Sequence, residues 1–215
     1  LATIPLGAEG DLFAGEVEPD TDFFATHGLQ DKTVAIYAGS HGDENGLEQI
    51  LAAASHLLDR PDIALALIGD GKMRPSLIQA AKDQNLTNVY FLPSVSKTHL
   101  PRVLRAAHIG LMILKQLPRP RWVTPNKLFD YMFSGLPTIV NYAGTTAQLV
   151  VDEQVGSASI PGDAQDLANQ IKYFADHPEE RAEVGARARV VAFEKFDRQN
   201  IARSLIDVFQ EAVSQ

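Results

Sequence analysis

From residue 33 onward the chain alternates short apolar bursts with longer stretches in which apolar residues return every three or four positions. Bursts of four to eight residues have the length of a buried strand, and the three-to-four spacing marks one face of a helix. Strands are predicted at 33–39 (TVAIYAG), 63–69 (IALALIG), 88–93 (NVYFLP), 109–114 (IGLMIL), 137–142 (PTIVNY) and 157–161 (SASIP). Between them the spacing predicts helices near 46–58, 73–84, 97–107, 125–134 and 144–151, and after the last strand an α-helical tail at 164–175, 179–193 and 198–213. Strands this continuously apolar are covered on both faces, so the alternation reads as βαβ units. The expected architecture is α/β, a doubly wound sheet of six parallel strands with helices on both faces. Residues 1–31 carry glycines and prolines among acids with little periodicity and read as a linker or lead-in, which leaves 32–215 as the domain.

Composition narrows the chemistry. The 215 residues, 45% hydrophobic and 21% charged, suffice for one large or two small domains with a sizeable core. The absence of cysteine excludes disulfides and thiolate metal sites. It fits a reducing, cytoplasmic compartment, although chance explains it as well. A net charge of −8 argues against a nucleic-acid or anionic-membrane surface. No apolar run is long enough to span a bilayer, and the start, LATIPLGAEG, has neither a basic leader nor a Met, so the chain is expected to be a segment of a longer protein. The six histidines show no metal-ligand spacing and no G-x-S-x-G occurs, so neither a metal nor a common hydrolase is expected. His108, at the start of a strand, is expected to be structural.

In a doubly wound sheet the ligand lies beyond the carboxyl ends of the strands, at the switch in strand order. That rule directs attention to the loops after strands one, three and four and to helix N-termini. The first loop, YAGSHGDENGLEQI (37–50), holds Gly39, Gly42 and Gly46 between strand and helix, where backbone N–H groups can meet an anion. A glycine turn that merely joins the two elements explains the same residues. His41, in this loop, is placed to touch a substrate. LIGDGKM (67–73) repeats the arrangement, with Gly69 and Gly71 flanking Asp70 as a wall of the cleft or as a plain turn. The segment KQLPRPRWVTPNK (115–127) holds Lys115, Arg119, Arg121 and Lys127 with no acid, in a chain that is acidic overall. A cationic loop ending at a helix N-terminus suits a phosphate; a solvated loop pairing with acids elsewhere is the alternative.

That helix is TPNKLFDYMFSG (124–135), with Thr124 as N-cap, Pro125 at the first helical position and Gly135 as the stop. Leu128, Phe129, Met132 and Phe133 share an apolar face. Lys127 then sits in the first turn, where the helix dipole disfavours a cation. An intrahelical pair with Asp130 contributes only about 0.2–0.5 kcal/mol, too little to account for it. A bound phosphate accounts for it better, with Asp130 one turn deeper and free to accept hydroxyl hydrogen bonds.

Taken in order, VAIYAGSHGDENGLEQIL, LALIGDGKMRPSL, NVYFLPSVSKTHLPRVLRAAHIGLMIL, TPNKLFDYMFSGLPTIV, VGSASIPGDAQDLANQI and FDRQNIARSL resemble the C-terminal half of the family-4 glycosyltransferases of the GT-B fold. The opening IPLGAEGDLF is similar to the family's P-N-G-x-D-x-x-x-F. The resemblance implies a Rossmann-like domain that binds the nucleotide-diphosphate sugar, of UDP or GDP type, as donor substrate with no cofactor. An N-terminal domain, not included here, would hold a glycan or lipid-linked acceptor. It implies retaining transfer in bacterial polysaccharide biosynthesis, with membrane association only through the full-length enzyme at the inner face of the membrane. This half alone would be inactive. Lys127, with Arg119 and Arg121, would stabilise the departing diphosphate. Asp130 would take the ribose hydroxyls, and Gly39, Ser40, His41, Gly42, Asn45, Gly69, Gly71, Pro93, Val95, Thr124 and Asn126 would line the donor site, with the backbone of 93–95 meeting the base. The sequence departs from the family pattern at Ser40 and Asn45, which replace the Arg and Lys of a G-R-x-x-x-x-K-G loop. It departs again at Trp122, which replaces a Glu, and at Asp130, one methylene shorter than the usual Glu. A non-catalytic nucleotide- or sugar-binding module and half of a nucleotide-sugar 2-epimerase are the alternative readings.

Overall fold

The computed structural model describes residues 8–115, 125–203 and 206. Six strands, β1 (Thr33–Ala38), β2 (Ile63–Ile68), β3 (Val89–Leu92), β4 (Ile109–Met112), β5 (Thr138–Val140) and β6 (Gly156–Ala158), form one sheet in the order β3-β2-β1-β4-β5-β6. Every neighbouring pair is parallel. Eight α-helices lie wholly among the described residues: α1 (Thr21–Ala25), α2 (Glu48–Ser55), α3 (Arg74–Asp83), α4 (Leu100–Arg105), α5 (Asn126–Phe133), α6 (Thr145–Asp152), α7 (Ala164–Asp176) and α8 (Pro178–Val191). This is the doubly wound, Rossmann-like sheet expected, with the strand order reversing between β1 and β4.

Pleating sorts the strand residues onto the two faces. Val34, Ile36 and Ala38 of β1 enter one core, while Ala35 and Tyr37 enter the other. Against the first pack α4, α5 and α8; against the second pack α2, α3 and α7. Residues of the lead-in segment also reach the first core: Ala8, Phe13, Phe24 and Leu29 are all buried there. The backbone of Ala8 bonds to Phe196 O at 3.0 Å and accepts from Arg198 N at 3.1 Å.

Several elements are shorter than the periodicity suggests, for local reasons. The helix expected at 46–58 begins as a 3₁₀ turn at Asp43–Asn45 and restarts at Glu48, because Gly46 between them adopts a left-handed φ of 55°. β4 stops at Met112, and the next N–H facing β5, that of Leu114, is met by the Asn141 side-chain oxygen at 3.0 Å instead of a ladder partner. The tail expected at 198–213 is reached through a π-helical turn, Ala192–Phe196, and is helical as far as residue 203; the remainder lies outside the described residues apart from residue 206.

Helix α5 starts one residue later than the sequence suggests. Pro125 takes the cap position with an extended ψ of 143°, and its carbonyl accepts from Leu128 N at 3.0 Å, so Asn126 and not Pro125 opens the helix. Thr124, expected as the cap, lies outside the described residues. The far end closes as expected, with Gly135 at φ +75°. Gly135 N bonds to Met132 O and Leu136 N to Tyr131 O, the paired bonds of a Schellman stop.

The last turn of α5 is met by α8 at close range. A Cβ on Gly185 would stand 2.1 Å from Gly135 O. Alanine normally favours a helix interior over glycine by about 1 kcal/mol. Gly185→Ala is nevertheless expected to destabilise the fold by about 2 kcal/mol, because α8 must lift off the α5 stop; urea unfolding of the two forms measures it.

Candidate functional site

Where β1 and β4 separate, only Ala35↔Ile109 and Ile36↔Gly110 remain in register. The ring of Tyr131, fully buried on α5, fills the opening. It packs so tightly on Gly110 that a Cβ there would lie 2.7 Å from the ring. Its hydroxyl accepts from Ala38 N at 2.9 Å and donates to Leu111 O at 3.4 Å, meeting two backbone groups of the diverging strands. The first turns of α5 are thereby set against the ends of β1, β2 and β3.

There the loops enclose a cleft of about 440 Å³. Its walls are Gly39 and Ser40 after β1, Gly69 and Asp70 after β2, Ser94 and Val95 after β3, and Lys127 and Asp130 from α5, with Ala38, Ile68 and Leu100 completing it. The two glycine loops are stitched together: Gly39 N donates to Ile68 O at 3.0 Å, His41 N to Asp70 O at 2.9 Å, and Met73 N to His41 O at 2.9 Å. A Cβ on Gly69 would stand 1.9 Å from Gly39 O, and one on Gly71 would stand 2.7 Å from the His41 backbone. Both have φ in the left-handed range, +141° and +155°. These glycines are required by the approach of one loop to the other, whether or not a ligand is present.

The predicted site residues divide accordingly. Gly39, Ser40, Gly69, Val95, Lys127 and Asp130 converge on the cleft. Asn126 lies beside it, lining with Asp130 a smaller cavity of about 150 Å³. Gly71 serves the loop contact, and Gly42 faces the Glu44 carboxylate. Pro93 is exposed next to Ser94. The His41 ring is fully buried, between Tyr37 and Phe91, and neither nitrogen has a hydrogen-bond partner among the described residues. Arg119, Arg121, Trp122 and Thr124 lie outside the described residues. Lys115, from the same basic segment, pairs with Asp43 at 2.8 Å.

The placement of Lys127 was the least legible. Its Nζ turns away from Asp130 and into the first loop, donating to the Tyr37 hydroxyl at 2.7 Å and lying 3.4 Å from Asn45 Oδ1. Among the described residues no ion pair joins it to Asp130 or to any other acid. Asn45 in turn donates from Nδ2 to Ser40 O at 2.9 Å, which fixes the orientation of its amide. So the two loop positions that carry no cation of their own lie around a cation delivered by α5. Ser94 falls within the expected 93–95 loop, whereas Tyr37 and Leu100 were missed; the strand alternation places Tyr37 on a buried face and says nothing of what its hydroxyl meets.

Both ionisable groups are strained by burial. Loss of water pushes the Lys127 ammonium down to about 8, Glu44 opposing weakly. It pushes the Asp130 carboxyl up to about 6, with Lys97 opposing and Glu9 reinforcing. The His41 imidazole is also lowered, first by burial and then by Arg74. Unpaired desolvated charges of both signs in one cleft are the common signature of a site awaiting a polar ligand. Among the described residues no cluster of three or more metal-type ligands exists, and no helix is long and apolar enough to cross a membrane.

Comparison with known proteins agrees with this picture. The family profile described as "Glycosyl transferases group 1" matches residues 20–191. A protein of Escherichia coli (strain K12), provisionally named colanic acid biosynthesis glycosyl transferase WcaI, is 31% identical over 104 residues, 48% of this chain and 25% of that protein. The alpha-D-kanosaminyltransferase of Streptomyces kanamyceticus is 23% identical over 187 residues, 86% of this chain and 47% of that protein. The chain therefore spans half or less of the length of these relatives. In shape it is similar to Anabaena HepE, solved in complex with UDP, with a TM-score of 0.83 at 20% identity over 98% of this chain and 57% of that one. The likeness in shape shows a shared GT-B glycosyltransferase fold.

The pH dependence of stability follows from Asp130. Its folded pKa stands above the ordinary 3.8, so stability is full below pH 4 and is lost as the carboxyl ionises through about pH 6. Asp130→Asn is expected to stabilise the fold by about 2–3 kcal/mol above pH 6 and hardly at all below pH 4, as read from denaturant midpoints at the two ends of that range.

Proposed function

The chain belongs to the glycosyl transferases group 1 family, and from that premise we propose that it is the donor-binding half of a retaining glycosyltransferase. It binds a nucleotide-diphosphate sugar in the cleft beyond β1, β2 and β3. A further domain of the full-length enzyme supplies the acceptor, a glycan or lipid-linked glycan of polysaccharide biosynthesis, and any contact with the membrane. The observation that carries the reading is the delivery of the Lys127 ammonium into the first glycine loop, beside an open cleft and without an ion-paired acid among the described residues.

The chemistry asks for that arrangement. When the sugar leaves, negative charge grows on the diphosphate oxygens, and a preorganised cation in a dry site stabilises that charge more in the transition state than in the ground state. Lys127 is a compact cation with three N–H donors and is held at the N-terminus of α5, whose dipole acts in the same direction. Asp130, one turn along the helix and facing the same cleft, has no partner of its own among the described residues and accepts the ribose hydroxyls. The backbone around Pro93 and Val95 meets the base. The reaction needs no cofactor and no metal, and Arg119 and Arg121 add to the cationic side of the diphosphate.

Calorimetry against UDP, GDP, TDP and ADP tests the reading. One of the four is expected to bind, with Lys127→Ala weakening it about 10- to 100-fold, the range for loss of a charge-assisted hydrogen bond in a partly buried site. An affinity unchanged in Lys127→Ala overturns the role of the lysine, and no binding by any of the four favours a non-catalytic module.

A further inference from the structure

Lysine has four rotatable side-chain bonds, and an ammonium left to itself in a wet cleft would sample many positions. Lys127 does not have that freedom, and the group that removes it is Tyr37. This residue is the penultimate position of β1 and is fully buried in the core that α2, α3 and α7 cover. Its hydroxyl donates to Ser40 O at 2.8 Å, which commits its one proton to the loop backbone. Its remaining lone pairs face Lys127 Nζ at 2.7 Å, and the ring centroid lies 4.1 Å from the same nitrogen.

We infer that Tyr37 is a positioning residue for the donor diphosphate, acting through Lys127: it clamps the ammonium into a first loop that lacks cations of its own. This rests on the reading of Lys127 as the diphosphate cation. Three features argue for a clamp and against a chance contact. Among the described residues two of the three ammonium donors are engaged, by Tyr37 and by Asn45, which leaves the third for the cleft that Lys127 lines. Both partners are uncharged, so they orient the cation without cancelling its charge, as an Asp or Glu in either place would. And the tyrosine is itself immobile, fixed by burial of its ring and by the bond to Ser40 O. Ring contact over the cation adds a second, non-directional attraction that survives removal of the hydroxyl.

The test is Tyr37→Phe, alone and combined with Lys127→Ala, in the full chain. The ring remains, and Ser40 O keeps its bond from Asn45 Nδ2, so no buried carbonyl is stranded. Calorimetry with whichever of UDP, GDP, TDP and ADP binds the unaltered chain is set beside the matching nucleoside. The expected result is about a five-fold loss of affinity for the diphosphate, the effect of one neutral hydrogen bond, with nucleoside affinity unchanged and no further loss when Tyr37→Phe is added to Lys127→Ala. A merely structural tyrosine would weaken nucleoside and diphosphate alike, or add its loss to that of Lys127→Ala, and either outcome overturns the inference. So does a diphosphate affinity that falls in Lys127→Ala and is untouched in Tyr37→Phe. Absence of diphosphate binding in the unaltered chain, or its indifference to Lys127→Ala, instead overturns the reading of the lysine on which the inference stands.

Discussion

The Tyr131 hydroxyl, shared between Ala38 N–H and Leu111 C=O, is the contact on which the site depends. A parallel sheet that reverses its order leaves two central strands diverging, with backbone groups that have lost their ladder partners. Buried groups of that kind must be satisfied, and each left bare would cost about 1–3 kcal/mol. Here one side chain serves both strands, and in doing so it fixes α5 against the opening in the sheet. Everything the cleft offers from that helix, Lys127 toward the first loop and Asp130 beside the third, follows from a wedge one residue beyond Asp130 in the chain.

The cleft is held together by atoms that do not themselves react. Gly39, Gly69 and Gly71 let two loops touch backbone to backbone, and His41 fills the space beneath with its main chain bonded on both sides. On this rigid floor stand a cation and a carboxyl that burial pushes toward neutrality from opposite directions.

The sheet was legible because six buried strands must be almost continuously apolar, and each was found within a few residues of its expected span. Helix ends were less so, since Gly46 and Pro125 shift boundaries through local dihedrals that periodicity does not register. The lead-in was opaque for a similar reason: Ala8, Phe13, Phe24 and Leu29 are buried one at a time, with no repeat to betray a shared core. At the site, the misfit of a lysine in the first turn of a helix pointed to a residue that does line the cleft. Its partners could not be read, because Tyr37 is 90 positions away and a tyrosine on a buried strand looks like any other core aromatic.

The imidazole of His41 has a use that its inaccessibility makes possible. Sealed from solvent, its protonated form disfavoured by burial, and without a hydrogen bond to either nitrogen among the described residues, it is a quiet ring within the field of Arg74, Asp70 and Lys127. Nothing in the bulk reaches it, so its magnetic resonance line is set by the Tyr37 and Phe91 rings beside it and by the field of those three charged neighbours. A molecule that occupies the cleft alters that field through the floor, and the protein thus contains its own unlabelled gauge of occupancy, readable without touching the residues that bind.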